Sequence, residues 1–364
     1  MNSENVVKHL RALWRTDRII AEIRMRHMLV GLGLRAFAAL IAAFGLSAAE
    51  IAQIDRGQIV ARTLGVTNER EVATLGVVRI RTTPENYVER LRDIARFKRT
   101  PDILQIGTFS ESPREGDLAA LTIEEADLKR FRECRVGACG VRLSAEGIGR
   151  FQREIDWRAA DAGRKASRLV RELLVDYVRD YRGRGTAAAM EYAGTSTPLN
   201  VGREFASLVE ADASTWTHVP RLRRHLLDYP AAADAHSSDF IYWSKERVHR
   251  RPVISITHVA IVPGDPASPV DFAIGTKQIY AAHYFDASLG VTLLVRDVRA
   301  PEPATYVVYL NRSRIDIFDG LFGGMARRLV SSRARSLVAE QLARLQGDFA
   351  ADVPLASARD GRSF

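Results

Sequence analysis

Hydrophobic and polar positions alternate differently in successive stretches of the chain. Met28 to Ala49 is apolar except for Arg35, and its unbroken part, Ala36 to Ala49, is shorter than the roughly 20 residues of a bilayer span. Val72 to Thr82 is β-branched with Arg79 and Arg81 on alternate positions, which predicts a strand. A helix follows at once: Thr83 can cap it, Pro84 suits its first position, and Tyr87/Val88, Leu91 and Ile94/Ala95 form one stripe. Ile103 to Phe109 reads as a second strand, and 110–117 as a loop.

The middle has helical spacing. A capping box at Thr122 to Glu125, a cap at Ser144, and a long helix from Ala159 to Tyr181 ending at Gly183 and Gly185 are expected. Shorter helices are expected over Arg203–Glu210 and Pro220–Leu227. The last third returns to strands: Phe240–Arg247, Val253–Val262, Thr276–Asp286, Val291–Asp297 and Thr305–Asn311. Pro or Gly breaks such as Pro252, Pro263-Gly264 and Gly290 make it an antiparallel meander. A final helix is expected from about Ile315 to Leu345. Its first stripe is Phe318, Leu321, Phe322, Met325 and Leu329, and Asp316 stands as a candidate cap.

The start of this order resembles START-like (SRPBCC, helix-grip) domains. Gly76-Val-Val-Arg-Ile-Arg-Thr-Thr-Pro-Glu-Asn-Tyr-Val-Glu-Arg-Leu91 looks like their first strand running into Pro, an acid and a helix. The strand Tyr306–Asn311, a Gly-containing break and a long helix resemble their end. The resemblance spans roughly 72–109 and 240–346. It implies an α+β fold in which a curved antiparallel sheet grips the C-terminal helix around an apolar cavity. That places a single domain over 50–346, with a helical insertion at about 110–235 and a flexible tail over 347–364.

Strand alternation proposes cavity residues. Ile254, Ile256, His258, Ala260 and Val262 share one face of their strand, and Ser255, Thr257, Val259 and Ile261 the other. On the next strand Lys277, Ile279, Ala281 and His283 oppose Gln278, Tyr280, Ala282 and Tyr284. His258 is either a core histidine bonded to a backbone or tyrosine group, or an anchor for a ligand head group. The expected ligand-binding set is His258, Tyr280, His283 and Tyr284 from the sheet, with Phe318, Leu321, Phe322 and Met325 from the helix. The corner Asn311 to Asp316 is equally a salt-bridge corner or an anion-binding mouth.

Composition narrows the function classes. With 46% apolar and 27% charged residues the chain is an ordinary folded one, not a disordered or multi-span one. Residues 1–49 carry seven basic and three acidic side chains, so without them the net charge falls from +9 to +5. The remaining arginines are interspersed with acids, which argues against nucleic acid as a partner. The apolar run followed by Ser47-Ala48-Ala49 reads as a signal peptide, or alternatively as a membrane segment, with Met25 as an alternative start and a mature chain beginning near Glu50. Export to the periplasm or the medium makes Cys134 and Cys139, the only cysteines, a disulfide. No Gly-x-Ser-x-Gly, phosphate loop, dinucleotide fingerprint or His-Glu-x-x-His occurs, so no metal and no cofactor are expected. The leading expectation is a carrier of a hydrophobic, lipid-like molecule, with possible contact to a membrane surface. The alternatives are a cyclase or hydrolase using His258 or His283, and a non-catalytic envelope interaction protein.

Overall fold

The computed structural model describes residue 42 and residues 44–351, except 234, 249–250, 266–267 and 317–322; the side chains of 323–326 are also outside the description. Phe318, Leu321 and Phe322, and the side chain of Met325, therefore lie outside the described residues.

The fold class is α+β. One antiparallel sheet of eight strands has the order β1-β2-β10-β9-β8-β7-β6-β3, and a long helix follows its last strand. In chain order the first elements are α1 (Ala48–Asp55), β1 (Val60–Thr63), β2 (Glu71–Ile80), α2 (Pro84–Arg92), α3 (Ile94–Phe97) and β3 (Ile103–Thr108). An inserted run of helices comes next: α4 (Glu125–Glu133), α5 (Ala145–Glu154), α6 (Ala162–Arg184), α7 (Val201–Glu210), α8 (Ala213–His218) and α9 (Pro220–Asp228). The two-residue strands β4 (Glu191–Tyr192) and β5 (Leu199–Asn200) pair with each other within it. β6 (Ser238–Val248), β7 (Arg251–Pro263), β8 (Phe272–Ala281), β9 (Phe285–Arg296) and β10 (Thr305–Ile315) then complete the sheet, and α10 (Gly323–Ala351) closes the described chain.

Each face of the sheet is covered by different elements. On one face, α4 to α6 bring Phe131, Phe151 and Val178 onto Ile241, Trp243 and Ile256. Beside them α7 to α9 bring Phe205, Trp216, Leu222 and Leu226 onto Ala260, Ala273, Leu289 and Val291. On the other face, α2 and α10 bring Tyr87, Leu91, Val338, Leu342 and Phe349 onto Val78, Val259, Ile274, Leu294 and Val307. Two glycines set how close these covers approach. A Cβ on Gly76 would run into Val338 and Leu342 of α10, and one on Gly275 would stand 2.8 Å from Leu226 Cδ1 of α9.

Several expectations need correction. The capping box at Thr122 does not form; Glu124 occupies the cap position of α4. Thr122 instead supplies its carbonyl and hydroxyl oxygens to the buried Lys245 ammonium, at 2.9 and 2.8 Å, which otherwise would be desolvated with too few acceptors. Ahead of the first expected strand lies another, β1, which pairs with β2 where Val60 finds buried cover beside Val77. Ile315, expected as the first residue of the last helix, still pairs with Phe285 in the sheet, and the helix is described over Gly323–Ala351. Asp316 accepts from Arg142 Nη2 at 2.8 Å. The helix also continues past Leu345, because Phe349 stacks on Tyr87 with ring centroids 5.8 Å apart.

The N-terminal boundary falls on packed structure. Ser47 and Glu50 form the capping box of α1, and Leu46 is buried in the core. The cleavage point expected after Ala49 thus lies inside a capped helix. Cys134 and Cys139 are joined as a disulfide that closes a short loop after α4. Among the described residues no helix is long and apolar enough to cross a membrane.

Candidate functional site

Of the expected ligand residues, His258, Tyr280, His283 and Tyr284 are among the described side chains, and they occupy different surroundings. His258 lies on β7 between Ile256 and Ala260 and so faces the inserted helices. It is fully buried, and its Nδ1 bonds Tyr181 Oη of α6 at 2.9 Å. Tyr280 faces the same way, contrary to simple alternation. A bulge lies in β8 opposite Ile256/Thr257: Ile256 pairs with Tyr280 but Thr257 with Gln278, so Ile279 is passed over. The Tyr280 hydroxyl donates to the Arg142 carbonyl at 3.2 Å. His283 and Tyr284 lie in the turn between β8 and β9, not in a strand, and Tyr284 has φ +65°. His283 Nε2 stands 3.1 Å from Asp127 Oδ1 of α4. Burial raises the Asp127 carboxyl, but His283 and Arg130 outweigh it and hold it below the usual carboxylate range.

The corner at the end of β10 is a salt-bridge corner. Arg314 Nη1 lies 2.6 Å from Glu204, Arg312 pairs with Glu71, and Arg142 bridges Asp286 and Asp316 at 2.6 and 2.8 Å. Its arginines are occupied by carboxylates of the same chain, which removes the anion-mouth reading.

The opposite face carries a different set. Thr257 shares its face with Val259 and Ile261, on the side covered by α2 and α10. From there a polar row crosses the sheet: Thr257 pairs with Gln278, Ser255 with Ser244, Asn311 with Gly290 and Ser313 with Ser288. The Ser288 and Ser313 hydroxyls are 2.8 Å apart, and Ser313 donates to Asn311 Oδ1 at 3.0 Å. Gln278 Oε1 is buried and accepts no hydrogen bond. At the β6 end Lys98, which caps the C-terminus of α3, donates to Glu246 at 2.8 Å and to Tyr242 Oη at 3.2 Å. Burial opposes the Lys98 charge, yet Tyr242 and Glu246 outweigh it and raise its pKa. Burial also raises the Glu246 carboxyl, and Lys98 outweighs that and lowers it. The pair is therefore an ion pair at neutral pH.

Gln278, Ser288, Tyr309 and Asn311 on this face are only half-buried, although they sit on the central strands β8 to β10. Next to the row, Val330 and Ala334 of α10 pack with Val72, Ile315, Tyr284 and Phe285. An open groove of about 320 Å³ runs between Thr63 of β1 and Arg327, Arg328, Ser331, Ser332 and Arg335 of α10.

Sequence reasoning missed this row because it followed the histidine to the other face. The signal was present in Ser255 and Thr257 on alternate positions, and in Gln278 one residue from Lys277. It also missed a second cluster. His225 of α9 and Asp239 of β6 lie beside His258, their ligand-type atoms all within 4.8 Å of one another. Nothing in their spacing along the chain announces that meeting.

No family model matches the chain, and no curated protein matches it. Among solved structures it is similar to the protein TTHA0849 of Thermus thermophilus, with 15% identity over 33% of this chain and 70% of that one, at a TM-score of 0.24. A likeness at that level carries no argument about family or function.

Proposed function

We propose that this protein binds an amphipathic, lipid-like small molecule on the α10 face of its sheet, without transforming it. The observation that carries the reading is Gln278 Oε1, a buried acceptor without a partner in the middle of a hydroxyl-rich row. Leaving such an acceptor unmet costs about 1–3 kcal/mol, which a ligand hydroxyl, amine or amide would recover. The apolar side chains of Val72, Ile315, Val330 and Ala334 beside the row suit the rest of such a molecule.

Two further observations fit a carrier. Arg327, Arg328 and Arg335 line one groove of α10, and Leu329 next to them is 73% exposed. Basic and apolar side chains at one helix surface suit transient contact with an anionic membrane, the source of a lipid-like ligand. The disulfide fits an exported protein. A hydrolase or cyclase based on His258 or His283 gains no support, since both rings are engaged with the inserted helices and not with the polar row.

Native mass spectrometry of the gently purified protein, followed by solvent extraction, tests the reading. A stoichiometric small molecule with a donor head and an apolar tail is expected. Protein that carries nothing, and takes up no amphiphile from mixed vesicles, would refute it.

A further inference from the structure

We propose that His225, Asp239 and His258 form a binding site for a divalent transition metal ion of the zinc type, which fastens the insertion to the sheet. The three residues come from α9, β6 and β7. Asp239 opposes Ala260 in the β6–β7 ladder and Ile241 opposes His258, so Asp239 and His258 share a face. α9 crosses over that face and presents His225.

The geometry is close to a coordination sphere. His258 Nε2 stands 3.4 Å from Asp239 Oδ1, and His225 Nε2 stands 4.0 Å from Asp239 Oδ2. Ligands held about 2.0–2.1 Å from a tetrahedral zinc ion lie roughly 3.3 Å from each other, close to both histidine–Asp239 distances, and the three ligand atoms all lie within 4.8 Å of one another. Two imidazoles and one carboxylate are a common donor set for such an ion, and three protein ligands leave a fourth position open.

An independent observation points to the same place. His258 Nε2 is completely buried, and its approach to Asp239 Oδ1, at 3.4 Å, falls short of a well-formed hydrogen bond. The other ring nitrogen is held by Tyr181 Oη at 2.9 Å, the kind of second contact that fixes a ligating imidazole. Tyr229 walls the site, its ring centroid 4.4 Å from that of His258. The nearby Lys277 does not compete for Asp239: its Nζ donates to Thr186 Oγ1 at 2.8 Å and to the Leu226 carbonyl at 3.0 Å. Asp239 keeps 20% of its side chain exposed, which gives an ion a way in.

The test uses the full chain stripped with a chelator and titrated with Zn²⁺ against a chromogenic competitor. One equivalent per chain is expected, with a rise in Tm on binding. Asp239→Asn and His225→Gln should each weaken binding by more than the about 10–100-fold typical of an outer contact. His283→Gln, at the separate Asp127 pair, should leave it unchanged. Co²⁺ in place of zinc should give visible d–d bands that vanish in both ligand variants. Far-UV circular dichroism of the stripped variants shows which are folded. If Asp239→Asn does not fold, His225→Gln at the helix decides. A folded, stripped wild-type protein that takes up no stoichiometric ion would overturn the proposal. So would equal uptake by wild type and a folded ligand variant. Either result leaves the small-molecule reading untouched, because the polar row lies on the other face.

Discussion

The two faces of the sheet are finished in different ways. Under the insertion many polar atoms are drawn into specific pairs, although His258 Nε2 and Thr215 Oγ1 are not: Tyr177 Oη donates to the Ile279 carbonyl, Trp243 Nε1 to the Asp117 carbonyl, and Tyr280 Oη to the Arg142 carbonyl, at 2.8, 2.8 and 3.2 Å. Under α10 the hydroxyls bond chiefly to one another, and the acceptor of Gln278 is left over. Buried polar groups without partners cost stability, and each face keeps one of note: His258 Nε2 under the insertion, and Gln278 Oε1 in the hydroxyl row under α10. On the α10 face the leftover acceptor lies among half-buried hydroxyl and amide side chains, and the ligand proposal rests on that difference.

The largest expected effect sharpens the structural half of this contrast. Trp243→Ala removes a fully buried indole that carries the insertion and should cost about 3–5 kcal/mol, read by chemical denaturation. Loss of less than about 1 kcal/mol would mean the insertion is not part of the core. A matched pair comes next. Gly275→Val should push α9 off its face, and Gly76→Val should push α10 off the other, each costing about 1–3 kcal/mol by overpacking. Only Gly76→Val should also weaken ligand uptake; equal loss of uptake in both would erase the distinction between the faces.

An acid titration probes the pairing of the insertion face. Asp127 binds a proton less readily folded than unfolded, so the unfolded chain takes up more protons as pH falls through the carboxylate range. The stability it contributes is complete above its unfolded pKa of about 3.9 and is lost below it. Asp127→Asn should flatten that part of the stability–pH curve, and an unchanged curve would contradict the assignment. The smallest effect belongs to Ser313→Ala on the polar row. It should cost no more than about 1 kcal/mol of stability while measurably weakening uptake.

Much of the fold was legible in local pattern. Thr83 and Ser144 cap helices as their positions predict, accepting from the Asn86 and Gly147 amides. Strands β6, β7 and β10 fall close to their expected positions, but the break expected at Gly290 lies inside β9, and the strand expected over Thr276–Asp286 is interrupted by the β8–β9 turn at 282–284. The site was less legible, for three physical reasons. Alternation states which residues share a face but not what covers that face, so the cover of His258 cannot be read from it. A one-residue bulge in β8 inverts everything after it, and no residue type around Ile279 announces it. The approach of His225 to Asp239 and His258 depends on how α9 crosses the sheet, which is set by packing of Leu222 and Leu226 against Gly275.

The central claim is that the ligand lies on the α10 face, and one strand offers a direct test of it. Gln278 and Tyr280 are close neighbours on β8, yet the bulge turns them to opposite faces. Titration of a fluorescent amphiphile into wild type, Gln278→Leu and Tyr280→Phe measures the difference. The account predicts that Gln278→Leu weakens binding on the order of tenfold, as loss of one buried hydrogen bond should, while Tyr280→Phe binds as wild type does. Unchanged binding by folded Gln278→Leu, or weakening confined to Tyr280→Phe, would contradict it.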